Sequence, residues 1–219
     1  MRSAPLVLVA ATLCALACGG CNIIGGAISF WAYHEQREGS HTVDAEYRGL
    51  PDKSFAVLVT APAVLQSERP GLTAKLAMGV SDNLAQNSGA TGFVPGARII
   101  QYQYNRPNWV ARPMGEVAKE LGVDRIIFID ISEYRLRDPG NQYVWDGVTS
   151  ATIAVYETDS AIPDDVVYQK IVQVKFPDNP GFSPTDIPEA AVNSELTRRL
   201  SERTAWLFYT HDEKNILKY

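Results

Sequence analysis

One predicted helix followed directly by one predicted strand constrains the fold of this chain more than any other feature. Pro113 can open the helix and Gly122 can end it, because proline suits the first helical turn and glycine the C-terminal cap. Its apolar stripe has the spacing of one helix face: Met114, Val117, Ala118 and Leu121. The strand then runs from Asp124 to Arg137. Its first half is apolar on both faces and therefore needs cover on both sides, whereas Ser132 to Arg137 alternates and is expected to be half exposed.

The remaining elements predict a mixed α/β fold. A helix is expected from Pro70 to Asn87, a glycine-rich linker from Gly89 to Gly96, and a type II turn at Asp138 to Asn141. The other predicted strands are Ser54 to Thr60, Ala97 to Tyr104, Tyr143 to Thr158 and Val166 to Phe176. The expected fold class is α/β: a mixed sheet with a strand-helix-strand-helix start, an antiparallel meander, and a C-terminal helix packed on one face.

The C-terminal helix is predicted to start with a capping box formed by Asp186 and Glu189. Its buried stripe is predicted to contain Val192, Leu196, Leu200 and Leu207, and its water-facing residues Arg198, Arg199, Glu202 and Arg203.

Asp130 is the one acid whose burial the sequence predicts, because isoleucines flank it on the long strand. A buried carboxylate needs a partner, and Arg125 or Arg98 could serve. Strand parity places Asp130 and Glu133 on opposite faces, so two-carboxylate chemistry is not expected.

The first residues have the form of an export signal. Met1 and Arg2 give a positive start, and an uncharged apolar run from Leu6 to Ala17 is followed by small residues. That run is shorter than the roughly 20 residues needed to span a bilayer. An uncleaved signal anchor, extended by the apolar stretch Ile23 to Tyr33, remains the alternative.

Cys14, Cys18 and Cys21 are the three cysteines of the chain and all lie in this leader. The segment after them can therefore form no disulfide, cysteine-based zinc site or cysteine nucleophile. The stretch Ala17-Cys18-Gly19-Gly20-Cys21 resembles the lipobox of bacterial lipoproteins, in which a cysteine receives a diacylglycerol carrying palmitate-type acyl chains. This resemblance implies lipidation of Cys21, with Cys18 as the alternative. The expected organisation is a signal peptide at 1–20, a lipidated N-terminus and stalk at 21–42, and one α/β domain at 43–219.

A second resemblance concerns residues 117–136, Val-Ala-Lys-Glu-Leu-Gly-Val-Asp-Arg-Ile-Ile-Phe-Ile-Asp-Ile-Ser-Glu-Tyr-Arg-Leu. They resemble the helix-strand piece of periplasmic lipoprotein domains related to the curli secretion lipoprotein, the TolB amino-terminal domain and activators of penicillin-binding proteins. With Cys21-Asn-Ile-Ile-Gly25, the whole chain is similar to small uncharacterised lipoproteins of planctomycete-type bacteria. These resemblances imply an exported protein, anchored by lipid to a cell-envelope membrane and facing the periplasm, with the outer membrane favoured over the inner.

The net charge of −5 disfavours nucleic acid as a partner, because phosphate backbones require basic surfaces. The three histidines, His34, His41 and His211, show no spacing typical of a catalytic triad or a zinc site. Residues 89–96 lack the Lys-Ser/Thr of a phosphate-binding loop. The sequence therefore predicts no cofactor, no metal and no enzyme activity.

Aromatic residues are concentrated near predicted strand ends around the hairpin, where they could form a binding surface: Tyr102, Tyr104, Trp109, Tyr134, Tyr143 and Trp145. The alternative is that they pack against one another and the helices. The expected function is a non-catalytic, membrane-anchored docking or assembly factor for another envelope protein. A periplasmic module that binds a small ligand or cell-wall fragment through the aromatics is the alternative, and a hydrolase comes third. The sequence does not set the oligomeric state.

Overall fold

The structure is a computed structural model, and it describes residues 39–215. The leader, Cys18, Cys21 and His34 lie outside these residues. The described residues belong to two compact units, one formed by residues 39–43 and 212–215, the other by residues 44–211.

The smaller unit contains a two-stranded sheet, in which β1 (Ser40–Val43) pairs with β7 (His211–Lys214). Side chains link the two segments, since the Thr42 hydroxyl donates to Asp212 at 2.8 Å. The backbone amide of Asn215 donates to the Gly39 carbonyl at 2.8 Å.

The larger unit is built on a five-stranded sheet in the order β3-β2-β4-β5-β6. Its strands are β2 (Ser54–Thr60), β3 (Gly92–Phe93), β4 (Arg125–Arg135), β5 (Gly147–Glu157) and β6 (Val166–Phe176). Strands β3, β2 and β4 pair in parallel, and β4, β5 and β6 form an antiparallel meander. The predicted mixed sheet is confirmed. So is the type II turn, because Gly140 has a φ of +86° and the Asn141 amide donates to Asp138.

Helices cover both faces of this sheet. They are α1 (Ala63–Glu68), α2 (Leu72–Asn87), α3 (Gly96–Asn105), α4 (Met114–Leu121) and α5 (Glu189–Trp206), with a 3₁₀ turn at Trp109–Ala111. One face, here the α2/α5 face, buries residues of all four long strands against α2 and α5, among them Val57, Ile129, Ile153, Val174, Leu76 and Leu196. The other, the α3/α4 face, buries a smaller cluster that includes Leu58, Ile126, Ile99 and Val117. The C-terminal helix thus packs on one face, as predicted.

The prediction of a strand from Ala97 to Tyr104 is wrong, because this segment is helix α3. Its residues alternate in polarity, but they also fit a helix whose buried side carries Ile99, with Tyr102 and Gln103 half-buried one turn later. The strand lies instead in the predicted linker, at Gly92–Phe93, where two residues pair with the start of β2. The sheet therefore begins with parallel strands, as expected. Its second strand lies in the predicted linker, and the segment predicted as that strand is a helix.

Asp130 is exposed, so its predicted burial is wrong. It lies on the α3/α4 face, opposite Thr152 of β5 and Thr60 of β2. The predicted partner Arg125 is itself buried, at 5% exposure, and its guanidinium contacts Asp159 and donates to the Gly49 carbonyl at 3.1 Å.

The predicted placement of Asp130 and Glu133 on opposite faces is also wrong. Strand β4 has a bulge between Ile131 and Glu133, so that Glu133 pairs with Ser150 while Asp130 pairs with Thr152. Ser150 and Thr152 are two residues apart on β5 and share one face. The extra residue of the bulge therefore brings both acids to the α3/α4 face.

Two predictions for the last helix are corrected. Arg199 is 5% exposed instead of facing water, and Asp186 does not cap α5, which starts after Pro188. Asp186 instead accepts hydrogen bonds from the amide and hydroxyl of Ser183, at 2.8 and 2.6 Å. These bonds hold the pKa of Asp186 below its usual value.

Candidate functional site

The α3/α4 face divides into a covered part and an exposed part. Helices α3 and α4 pack on Ala56 and Leu58 of β2 and on Ile126 of β4. Beyond them lie side chains that are exposed or half-buried, here called the open sheet surface: Asp130, Glu133 and Arg135 of β4, Thr152 of β5, and Gln169, Ile171, Gln173 and Lys175 of β6. The alternating half of the long strand predicted this exposure for Glu133 and Arg135. It gave no signal for Asp130.

The register of the strands sets the arrangement of this surface. Asp130, Thr152 and Ile171 form one row across three strands, because each lies opposite the next. Glu133 and Gln173 lie on either side of Ser150 in a second row. Ser150 and its neighbour Val148 on this face are themselves buried. The surface therefore combines rows of polar side chains with one exposed isoleucine on the edge strand, Ile171 at 67% exposure.

An ion-pair cluster fixes one end of the open sheet surface. The guanidinium of Arg135 lies 2.9 Å from Glu133 and 3.2 Å from Asp146, and it also contacts Asp138. Arg135 donates a further hydrogen bond to the Asp146 carbonyl at 3.1 Å. Because these partners hold Arg135 and Glu133 in place, the cluster presents fixed charges to anything that approaches the sheet.

Two of the six predicted aromatics pack on the α3/α4 face, inside its core. Trp109 is 5% exposed and contacts Phe128 edge to face, with 5.8 Å between ring centroids. Tyr102 is half-buried, and Arg112 donates to its hydroxyl at 3.5 Å. Burial, followed by the charge of Glu120, raises the pKa of Tyr102, so its hydroxyl stays protonated.

Two more aromatics belong to the opposite, α2/α5 face. Trp145 is 2% exposed, and its indole N–H donates to the Ile187 carbonyl at 2.7 Å. The Arg137 guanidinium lies 4.0 Å from its ring centroid. Tyr134 packs against the same core and donates to Asn193 of α5, with 3.0 Å to the side-chain oxygen. Burial raises the pKa of Tyr134.

Tyr104 and Tyr143 are exposed, at 86% and 83%. Tyr104 lies in the last turn of α3, and Tyr143 lies between β4 and β5, where its amide donates to Asn141 at 2.9 Å. The structure therefore does not bring the six aromatics together. Four pack into two cores on opposite faces of the sheet, and a binding role for the two exposed tyrosines stays a prediction.

Two surface cavities lie away from the open sheet surface. One of about 570 Å³ is lined by residues of α4 and of the β5–β6 connection, including Pro113, Glu116, Lys119, Asp124, Thr158 and Asp164. Its carboxylates already have partners, because Asp164 accepts from the Gly115 amide at 2.7 Å and Asp124 from the Ser54 amide at 2.9 Å. The Ser54 hydrogen bonds hold the pKa of Asp124 below its usual value.

The second cavity, of about 500 Å³, is lined by residues that include Asp44, Arg48, Ser88, Phe208 and Tyr209. None of the six predicted aromatics lines either cavity. These two cavities therefore do not coincide with the positions where the sequence placed a stacking platform for a small ligand.

Histidines and acids do not converge in the described part of the chain. Between residues 39 and 215, no group of three His, Cys, Asp or Glu side chains is placed to hold a metal ion. The His211 ring stacks on Trp206 with 4.5 Å between centroids, and its Nδ1 lies 3.1 Å from the Tyr209 carbonyl oxygen. His41 lies 3.1 Å from the Asn215 side-chain oxygen. Across the same residues, no helix has the length and apolar character needed to cross a bilayer.

Comparisons with known proteins find similarity at the level of solved structures. No protein-family model and no curated protein matches the chain. The chain is similar to the PelC dodecamer from Paraburkholderia phytofirmans, with 12% identity and a TM-score of 0.45 over 78% of this chain and 96% of that one. The chain is also similar to lipoprotein GNA1162 from Neisseria meningitidis, with 11% sequence identity and a TM-score of 0.45 over 70% of this chain and 98% of that one.

A third similar structure is protein XCC0632 from Xanthomonas campestris, described by the family model DUF330. It gives 13% identity and a TM-score of 0.45, over 78% of this chain and 90% of that one. At such low sequence identity and TM-score, these similarities assign no function to the chain.

Proposed function

We propose that this chain is a non-catalytic lipoprotein, anchored to a cell-envelope membrane, that docks another envelope protein on its open sheet surface. The observation that carries the proposal is the exposure of this surface in a sheet whose other regions are covered by helices. Asp130, Thr152 and Ile171 form its central row, and Ile171 keeps 67% of its surface exposed.

The anchor is supported by the sequence of the leader. A diacylglycerol on Cys21 would bring two acyl chains, each contributing about 0.8 kcal/mol per buried CH₂. One chain gives marginal attachment, whereas two hold a protein stably on a bilayer. The resemblance of residues 17–21 to a lipobox supports Cys21 over Cys18, and we place the protein on the periplasmic side of the envelope, in the outer membrane by preference.

The shape and chemistry of the open sheet surface favour a protein partner. Exposed side chains on three neighbouring strands offer the extended contact area that a protein partner needs. Fixed charges at Glu133 and Arg135 on β4, together with the exposed apolar side chain of Ile171 two strands away on β6, give the mixture of polar and apolar contacts that protein interfaces use.

Photo-crosslinking in native membranes tests the docking role. A photoreactive amino acid at Thr152 should give one adduct with a different envelope protein, and the same probe at Lys75, exposed on α2, should not. Charge reversal should then separate surface recognition from random contact. Asp130→Lys should lower the adduct yield at Thr152 at least fivefold, while Asp82→Lys on exposed α2 should leave it unchanged.

Three outcomes would contradict the proposal. They are equal adducts at Thr152 and Lys75, no adduct at Thr152, or an adduct that contains nothing but a second copy of this chain. A yield that falls equally in both charge-reversed variants would show that the interaction depends on overall charge instead of this surface.

A further inference from the structure

Strand β6 is an edge strand of unusual length for a strand with one free side. It has 11 residues and pairs with β5 on one side, while the opposite edge of the sheet is the two-residue β3. Across the described residues, β6 pairs with no second strand. An edge of this kind presents unpaired N–H and C=O groups, and natural proteins protect such edges by shortening them or with proline, lysine or a bulge. β6 contains no proline and is not short, and it carries two lysines and a bulge at Val167.

Two exposed glutamines of β6 are symmetric about its central residue. On the α3/α4 face the register places Gln169, Ile171, Gln173 and Lys175, and a bulge lies at Val167. Ile171 is the sixth of the 11 residues, and a glutamine stands two positions away on each side. Ile171 and Val167 are 67% and 46% exposed, so a second strand beside them would bury apolar surface as well as pair the backbone.

We propose that two copies of this chain associate through antiparallel pairing of their β6 strands, with Ile171 of both copies at the two-fold axis. In this register residues 168–174 pair regularly, and the bulge at Val167 interrupts the ladder near the first residue of each strand. The central pair joins the two Ile171 side chains, and Gln169 of each copy lies opposite Gln173 of the other. The interface uses the same residues of both copies, as a two-fold axis requires, and the two five-stranded sheets become one.

Side-chain pairing favours this register over its neighbours. Lys170 lies opposite the aliphatic Val172 of the second copy, whereas Lys175 faces the bulge at Val167. Directly opposed residues must share a face of the sheet, so the two-fold axis passes through a residue position and not between two residues. An axis at Lys170 would place two lysines opposite each other, which is destabilising. An axis at Val172 would place Ile171 of each copy opposite Gln173 of the other, so the two exposed isoleucines would not meet.

Disulfide trapping in the purified full chain tests both the contact and its register. Gln169→Cys mixed with Gln173→Cys should form a disulfide-linked dimer on oxidation, as should Ile171→Cys alone. Opposed residues lie about 5 Å apart. Gln169→Cys alone should not, because its two copies would lie about 14 Å apart along the strands, beyond the reach of a disulfide. The parent chain, with Cys14, Cys18 and Cys21, gives the background.

Two results would overturn the proposal. One is a mixture that stays monomeric on oxidation, as expected if another segment or protein occupies the edge. The other is a dimer that forms equally well from Gln169→Cys alone, which requires a different register.

A charge at the axis provides a second, independent measurement. Ile171→Lys should lower the disulfide yield of the mixed cysteine variants at least tenfold, because two like charges would meet at the axis. Ile162→Lys is the matched control, since Ile162 is 59% exposed in the β5–β6 connection and lies outside β6. Equal yields in both lysine variants would contradict the pairing. The proposed docking role is tested separately, by the mass of the photo-crosslinked adduct at Thr152 with a different protein. Either proposal can therefore fail without the other.

Discussion

The guanidinium of Arg199 donates two hydrogen bonds to the carboxylate of Asp178, of 2.6 and 3.1 Å. Arg199 lies on α5 and Asp178 in the segment after β6, so the pair ties the last helix to the edge of the sheet. Arg199 also donates to Glu195 at 2.7 Å and to the Lys175 carbonyl at 2.8 Å. Its side chain is 6% exposed, and burial of this kind is stable only with partners around the charge.

Removing this buried cation should cost far more than removing its exposed neighbour. We expect Arg199→Met to lower the free energy of unfolding by about 3 kcal/mol, because it leaves buried acceptors without a donor. Arg198→Met is the matched control: Arg198 is 51% exposed, so its loss should cost about 0.5 kcal/mol. Urea denaturation of the two variants measures the difference. Equal losses would show that Arg199 is no more buried than Arg198 in solution.

Glu195 should make stability depend on pH in the acid range. Hydrogen bonds from Arg198 and then Arg199 lower the pKa of Glu195 from 4.5 to about 2 in the folded protein. A carboxylate with a lowered pKa stabilises the fold above its unfolded pKa, and this contribution is lost as the pH falls from about 4.5 towards about 2. The free energy of unfolding of the parent chain and Glu195→Gln should therefore differ near neutral pH and converge over this interval. A constant difference down to pH 2 would contradict the assigned ion pairs.

Gly147 lies where no side chain fits. A Cβ added there would lie 2.6 Å from the carbonyl oxygen of Phe176, its partner on β6, and 2.9 Å from Leu196 of α5. Gly147→Ala should therefore lower the free energy of unfolding by about 1–3 kcal/mol. Gly92→Ala should change it by no more than about 0.5 kcal/mol, because a Cβ there has no atom within 4 Å. Thermal or urea unfolding measures the free energy of unfolding of both variants. If Gly147→Ala were as stable as the parent chain, β5 and α5 would pack less closely than described.

Long apolar runs predicted the sheet correctly, because a strand that is apolar on both faces has to be covered on both faces. The apolar run from Ile126 to Ile129 must be buried on both sides, and the structure buries Ile126 on one face and Ile127 on the other. Short amphipathic segments did not carry that information. Residues 97–104 fit both periods, and the tertiary position of Ile99 against the α3/α4 core decides for a helix.

The candidate site was harder to predict because it depends on register. Parity from the sequence placed Asp130 and Glu133 on opposite faces, and one inserted residue at the bulge reverses that result. Bulges have no strong sequence signature when, as here, the added residue is a serine, Ser132. The six aromatic residues are separated for a different reason: Trp109 and Trp145 are near predicted strand ends in the sequence but pack on opposite faces of the sheet.

The proposed attachment to a membrane depends on one sulfur atom, that of Cys21, and exchanging it tests the anchor. Cys21→Ser should move the protein from the membrane fraction to the soluble fraction, because it removes the atom that would carry the diacylglycerol. Cys18→Ser is the matched control, with the same exchange three residues earlier, and should stay with the membrane.

Fractionation followed by intact mass spectrometry measures both outcomes, since an acylated chain is heavier than its peptide. Release of Cys18→Ser with retention of Cys21→Ser would assign the lipid to Cys18. Retention of both variants in the membrane, with the leader still attached, would instead indicate an uncleaved signal anchor. A parent chain that is soluble and unmodified would contradict the anchor itself, because no acyl chain would then hold the sheet domain beside a bilayer.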